Sequence, residues 1–138
     1  MGDTQFLHLN PDWNADPNAP EPKVSVSGSD VSLLFRLNPW GYQAAAGEQG
    51  KLSFGGCSRW RLGETNDHGW YDGQCRYSLI APRWGELYEI VGDDPLAHAP
   101  KDWTLTHRAD PSKRHFLFYL HDETFECFAD DWAFSRSR

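Results

Sequence analysis

With 138 residues, 20 acidic against 13 basic side chains and a formal net charge of −7, the chain is long enough to bury a core of its own and too acidic to hold a phosphate backbone as its main partner. Nothing in it approaches the roughly 18 consecutive apolar residues of a membrane span, and Met1 to Phe6 has neither the basic region nor the apolar run of an export signal. The expectation is one soluble, cytoplasmic domain with no nucleic-acid and no membrane partner.

Seven Trp, eight Phe and five Tyr against a single Met favour sheet over helix. Residues 1–23 carry Pro11, Pro17, Pro20 and Pro22 among asparagines and acids, with Phe6, Leu7, Leu9 and Trp13 as the large apolar groups. They read as an irregular N-terminal arm, either pinned by Phe6 and Trp13 or disordered. A single β domain over 24–134 follows, and 135–138 is expected to be a mobile tail. Val24 and Val26, a turn at Gly28, Ser29 and Asp30, then Val31, Leu33, Phe35 and Leu37 on one parity predict a first hairpin or bent strand. Asn38 to Gly41 breaks that pattern, and 44–50 is too short and too glycine-flanked for a helix. From Lys51 to Leu62 the parity puts Leu52, Phe54, Trp60 and Leu62 on one face and Lys51, Ser53, Cys57, Arg59 and Arg61 on the other, the pattern of one long half-buried strand. Gly55 and Gly56 either leave room for a neighbouring ring or mark a bend.

After the polar loop 63–73, residues 74–80 and 84–91 read as two further strands of a meander. A turn at Pro82 and Arg83 would pair Tyr77 with Tyr88, Cys75 with Ile90 and Arg76 with Glu89. Setting Trp60 beside Tyr77 then lines up Arg61, Arg76 and Glu89 as a charged ladder, either a solvated salt-bridge row or an anion site. Glu86 falls opposite Leu79 on the core-facing side, at the rim or lining a pocket. Residues 92–102 hold turn signals, and Trp103 to His107 is a short strand candidate. The strongest strand pair is His115 to His121 with Thr124 to Ala129. A two-residue loop at Asp122 and Glu123 would set Phe116, Phe118 and Leu120 opposite Ala129, Cys127 and Phe125 on one apolar face. The other face would then set Tyr119 beside Glu126, Leu117 beside Phe128 and His115 beside Asp130.

Few residues point to chemistry. The 63–73 loop gathers Glu64, Asn66, Asp67, His68 and Asp72, yet the spacing matches no calcium loop, and turn-forming residues are expected there. Three cysteines without a Cys-x-x-Cys pair fit reduced thiols rather than zinc or a disulfide frame. Neither a nucleophilic Cys–His pair nor the two carboxylates of a glycosidase has a local signature, although Glu86, Glu89, Asp67 and Asp72 lie near Trp70 and Trp84 in the sequence. No phosphate-binding glycine loop is present, and no cofactor is expected. The residues nominated for a ligand are the aromatic set Trp60, Tyr77, Trp84 and Tyr88, the charged set Arg61, Arg76 and Glu86, and the loop set Asp67, His68 and Asp72.

Residues 81–93 and 114–127 resemble segments of a group of small uncharacterised bacterial all-β proteins, over most of the chain after Val31. The resemblance implies a bacterial cytoplasmic protein and assigns no functional residue. The closing strand pair also looks like those of small acidic immunity proteins that neutralise toxins. The sequence thus predicts an antiparallel all-β fold, a β-sandwich or partly open barrel of seven or eight strands. The function expected of it is non-catalytic binding of a protein partner through an acidic surface. Small-molecule or sugar binding in an aromatic-lined pocket is the alternative, a hydrolase a lesser one, and an exposed edge strand would favour a homodimer.

Overall fold

The computed structural model describes residues 5–10, 13–16, 20–40, 44, 47–63, 86–91, 103–106, 114–120 and 123–137. Ten strands lie among them: β1 (Gln5–His8), β2 (Lys23–Ser27), β3 (Asp30–Arg36), β4 (Gln49–Gly55), β5 (Arg59–Gly63), β6 (Leu87–Val91), β7 (Thr104–Leu105), β8 (Arg114–Tyr119), β9 (Thr124–Ala129) and β10 (Asp131–Ser137). They form a six-stranded sheet in the order β1-β6-β8-β9-β5-β7 and a four-stranded sheet in the order β10-β4-β3-β2. All pairings are antiparallel, and the sheets do not close into a barrel. The all-β sandwich expected from composition is therefore the architecture. Among the described residues no helix is long and apolar enough to cross a membrane.

The core lies between the sheets and follows strand parity. Val31, Leu33 and Phe35 of β3 and Leu52 and Phe54 of β4 face Phe116 and Phe118 of β8 and Phe125 and Cys127 of β9, all buried. The first hairpin forms where alternation predicts it. Ser27 pairs with Asp30, leaving Gly28 and Ser29 as the loop, and Gly28 takes φ 63°, which a side chain would resist.

The span from Lys51 to Leu62 is two strands in two sheets. Gly56, at φ 60°, turns the chain out of the four-stranded sheet, and β5 begins the next. Parity did not reveal this, because Leu52, Phe54, Trp60 and Leu62 all face the same core from opposite sides of it. Cys57, expected on the outer face with Arg59, lies at the corner and is buried in the core. A second crossing, from β9 to β10 at Asp130, runs beside the first. Asp130 N–H donates to the Gly55 carbonyl at 2.9 Å, and Gly55 N–H donates to Asp131 Oδ1 at 3.1 Å. A side chain at Gly55 would run into the Asp131 carboxylate.

The β8–β9 register is shifted two residues from the expected one. Phe116 faces Cys127, Phe118 faces Phe125, and Tyr119 faces Thr124. Leu120 N–H donates to the Glu123 carbonyl at 2.8 Å, so the pairing closes between Leu120 and Glu123, one residue earlier than the expected His121–Thr124 closure, and Asp122 and Glu123 are not the loop pair. An even shift leaves each side chain on its expected face, so the apolar face survives with different partners.

Both chain ends depart from expectation. Residues 5–8, assigned to an irregular arm, form a strand paired to β6, with Phe6 opposite Ile90. Farther along, Trp13 stacks on Phe134 at 4.1 Å and 4°, and Ala15 bridges to Leu37. Residues 135–137, assigned to a mobile tail, continue β10 along β4. Of the two expectations for the arm, pinning by Phe6 and Trp13 is the one observed, while the strand at residues 5–8 was not expected. The expected pairing of β6 with residues 74–80 fails for a related reason: β1 occupies one flank of β6 and β8 the other.

Candidate functional site

The outer face of the six-stranded sheet is the unusual surface, because it is buried as well. Tyr88, Ile90, Leu117 and Tyr119 form a second apolar cluster there, with Phe6 packed against it. Beside that cluster, two adjacent cross-strand rows carry charge. Leu117, Glu126 and Arg61 form one row, and His115, Phe128 and Arg59 the next. Glu126 is 0% exposed and His115 5%. His115 Nε2 hydrogen-bonds Glu126 Oε2 diagonally across the rows, and Arg61 stands 3.6 Å from Glu126 Oε1. His115 also stacks on Phe128 at 4.3 Å, while the Arg59 guanidinium covers Phe128 at 4.4 Å and Trp103 at 4.7 Å. The Gly63 backbone gives Arg61 its place, since a Cβ there would stand 2.7 Å from the guanidinium.

Chemically this is a carboxylate held between an imidazole and a guanidinium. A catalytic acid or base needs its proton within reach of a substrate, and burial this deep instead makes the cluster a tie across three strands. It was not legible in the sequence, since the diagonal contact exists only in the observed β8–β9 register and needs β5 as third partner.

Four of the nominated ligand residues lie among the described ones, and they do not converge. Trp60 faces the core opposite Cys127 and stacks with Phe125 at 6.4 Å. Tyr88 lies on the opposite face, edge-on to Phe6 at 5.7 Å, with β8 and β9 between the two strands. An aromatic pocket shared by Trp60 and Tyr88 is therefore ruled out. The Arg61–Glu89 ladder fails in the same way: Arg61 is on the outer face with Glu126, while Glu89, opposite Phe116, accepts from Arg114 Nε and Nη2 at 2.9 and 2.7 Å. Asp67, His68, Asp72, Arg76, Tyr77 and Trp84 lie outside the described residues.

Glu86 is neither a rim residue nor a pocket acid but a clamp on the N-terminal segment. Asn10 Nδ2 donates to Glu86 Oε2 at 2.6 Å and to the Trp13 carbonyl at 2.9 Å, Asn10 Oδ1 accepts from Leu87 N–H at 3.0 Å, and His8 Nε2 lies 3.2 Å from Glu86. Asn10→Ala should remove three of these bonds and leave a buried carboxylate short of a donor. We expect a loss of about 2 kcal/mol, with β1 amides exchanging faster than those of β8 in hydrogen–deuterium exchange. Equal exchange changes in both strands would show that Asn10 acts on the whole fold and not on this clamp.

Cys57 and Cys127 are both buried in the core, and the Cys57 thiol donates to the Arg59 carbonyl at 3.3 Å. The neighbouring Cys127 thiol draws the Cys57 thiol below its ordinary value, while burial pushes Cys127 well above it. Among the described residues no group of three or more His, Cys, Asp or Glu is arranged to hold a metal.

The outer face of the four-stranded sheet contrasts with this, because its residues are exposed or half-buried. Its rows across β2, β3, β4 and β10 read Ser27-Asp30-Gly55-Asp131, then Ser25-Ser32-Ser53-Ala133, then Lys23-Leu34-Lys51-Ser135. Asp30 and Asp131 are exposed at one end and Lys23 and Lys51 at the other. No protein-family model, curated protein or solved structure matches the chain.

Proposed function

We propose that this chain is a non-catalytic binding protein that takes a protein partner on the outer face of its four-stranded sheet. The observation that carries the reading is the difference between the two sheets. Across β6, β8 and β9 the six-stranded sheet is largely buried on both faces, whereas the four-stranded one presents an outer face of mostly small, exposed or half-buried side chains with acid at one end and base at the other. The charged rows are about 13 Å apart, four residues along the strand. A partner with the opposite gradient would be oriented by it, and a face four strands wide suits a protein better than a small ligand, which needs concavity.

Charge use inside the molecule supports the same reading. Arg36, Arg61, Arg114 and Arg136 are each engaged by a glutamate, Glu21, Glu126, Glu89 and Glu48 respectively. The net charge of −7 is thus carried over a surface on which these four arginines are already matched. An immunity-type inhibitor would need such a surface against a basic target.

Ser53→Arg, at the centre of the face, is the test. Immobilised chain should retain a partner from a lysate of its native host, more at low than at physiological salt, and the Ser53→Arg chain should lose it. Equal retention by the two chains would overturn the assignment of this face, and no salt-sensitive partner for either would overturn the binding reading.

A further inference from the structure

We propose that the open edge of β2 pairs with β2 of a second copy of this chain, antiparallel and centred on Ser25, so that two four-stranded sheets become one sheet across a two-fold axis. This surface is the edge of the sheet and is distinct from the face discussed above. Among the described residues β2 ends the order β10-β4-β3-β2, and Ser25, Val26 and Ser27 are exposed, Val26 at 48%. Edge strands are usually protected by an internal proline, a bulge or an inward charge. The β2 sequence Lys-Val-Ser-Val-Ser has only Lys23, at its start.

The hairpin fixes which backbone groups are free to pair. In a two-residue hairpin the pair flanking the loop is hydrogen-bonded, and the ladder then alternates. With Ser27 opposite Asp30, the N–H and C=O of Ser27, Ser25 and Lys23 turn toward β3, and those of Val24 and Val26 turn away from it. An extended strand is the shape that meets such a row.

Register then selects the occupant. Centring on Ser25 sets Val24 opposite the partner's Val26, and Val26 opposite the partner's Val24. Each of those pairs exchanges two bonds, about four in all. Val24 and Val26 sit opposite the core residues Leu33 and Val31, so the four valines would meet on the core side and cover the exposed Val26. Lys23 falls opposite the partner's Ser27, and no like charges meet. Centring instead on Val24 sets Val26 opposite the partner's Pro22, which has no N–H, and centring on Val26 sets Val24 opposite the partner's Gly28, in the turn. The strand is self-complementary in one register only. A five-residue edge buries less than the roughly 1,200 Å² of a lasting interface, so the dimer should be weak and concentration-dependent.

Sedimentation of the full chain should show a monomer at low concentration and a dimer as it rises through the micromolar range. Val26→Pro removes an outward N–H without touching a β2–β3 bond and should weaken association by about tenfold or more. Independently of that variant's folding, Ser25→Cys should give a covalent dimer under mild oxidation, because the two-fold axis brings those Cα atoms to about 4.5 Å. Lys23→Cys should give no more than the unsubstituted chain. A monomer at every concentration up to about 1 mM would overturn the proposal and leave the edge to a strand of another protein. So would equal cross-linking at positions 23 and 25.

Discussion

Glu126→Ala is expected to cost about 3–5 kcal/mol, the range for removing one member of a buried ion pair. The expectation rests on depth: Glu126 is fully buried, and its loss strands His115, itself buried, and Arg61, whose side chain is 16% exposed. In urea denaturation this corresponds to a midpoint lowered by about 2 M, taking an ordinary slope for a domain of this size. The cost arises from stranding charge, not from the pair's own worth, so a full apolar replacement separates the two. A chain with Glu126→Leu, His115→Phe and Arg61→Met should recover most of the loss. If the single variant lost less than about 1 kcal/mol, water would be reaching the cluster and the face would not be sealed.

Phe118→Ala should cost about 3–5 kcal/mol through the cavity it leaves. Phe118 is 0% exposed and meets Phe35 edge-on at 5.0 Å and Trp13 edge-on at 5.8 Å, with Phe125 directly across from it in β9. It thus touches the four-stranded sheet, its own sheet and the N-terminal segment at once. Calorimetry would read the loss as a midpoint lowered by roughly 10–20 °C. A change within 1 kcal/mol would mean that the ring's neighbours collapse into its space. Phe118→Leu, which keeps much of the volume, should fall between wild type and alanine.

Local alternation made β2, β3, β8 and β9 legible, along with the side on which each residue faces. The hairpin at Gly28 was legible because a two-residue loop imposes a specific backbone on its first residue. What alternation cannot carry is the identity of a distant neighbour. β6 pairs with β1 and β8, and nothing in Leu87 to Val91 prefers those strands to residues 74–80. Trp13 and Phe6 were legible as anchors of the arm, as the large apolar rings among its prolines, but not the partners they would find, Phe134 and Tyr88. Cys57 was assigned the wrong side because parity counts through Gly56 as though the strand continued, and the glycine there turns the chain to another sheet. The Glu126 cluster combined both difficulties, since it needs a register two residues from the expected one and a partner strand 59–63 distant in the sequence.

The pairing of the two chain ends bears on how the molecule is made. β1 joins the six-stranded sheet through residues 5 and 91, and β10 completes the four-stranded sheet through residues 55 and 131. β1 therefore waits unpaired until β6 has emerged, and β4 keeps an open edge until β10 follows it. Such long loops close slowly, so refolding should run in milliseconds to seconds, as in other sandwiches dominated by distant contacts. During that interval β4, later an interior strand, is an edge, and its Leu52 and Phe54 have no cover from β10. For this chain the hazard of aggregation belongs to synthesis more than to the finished fold.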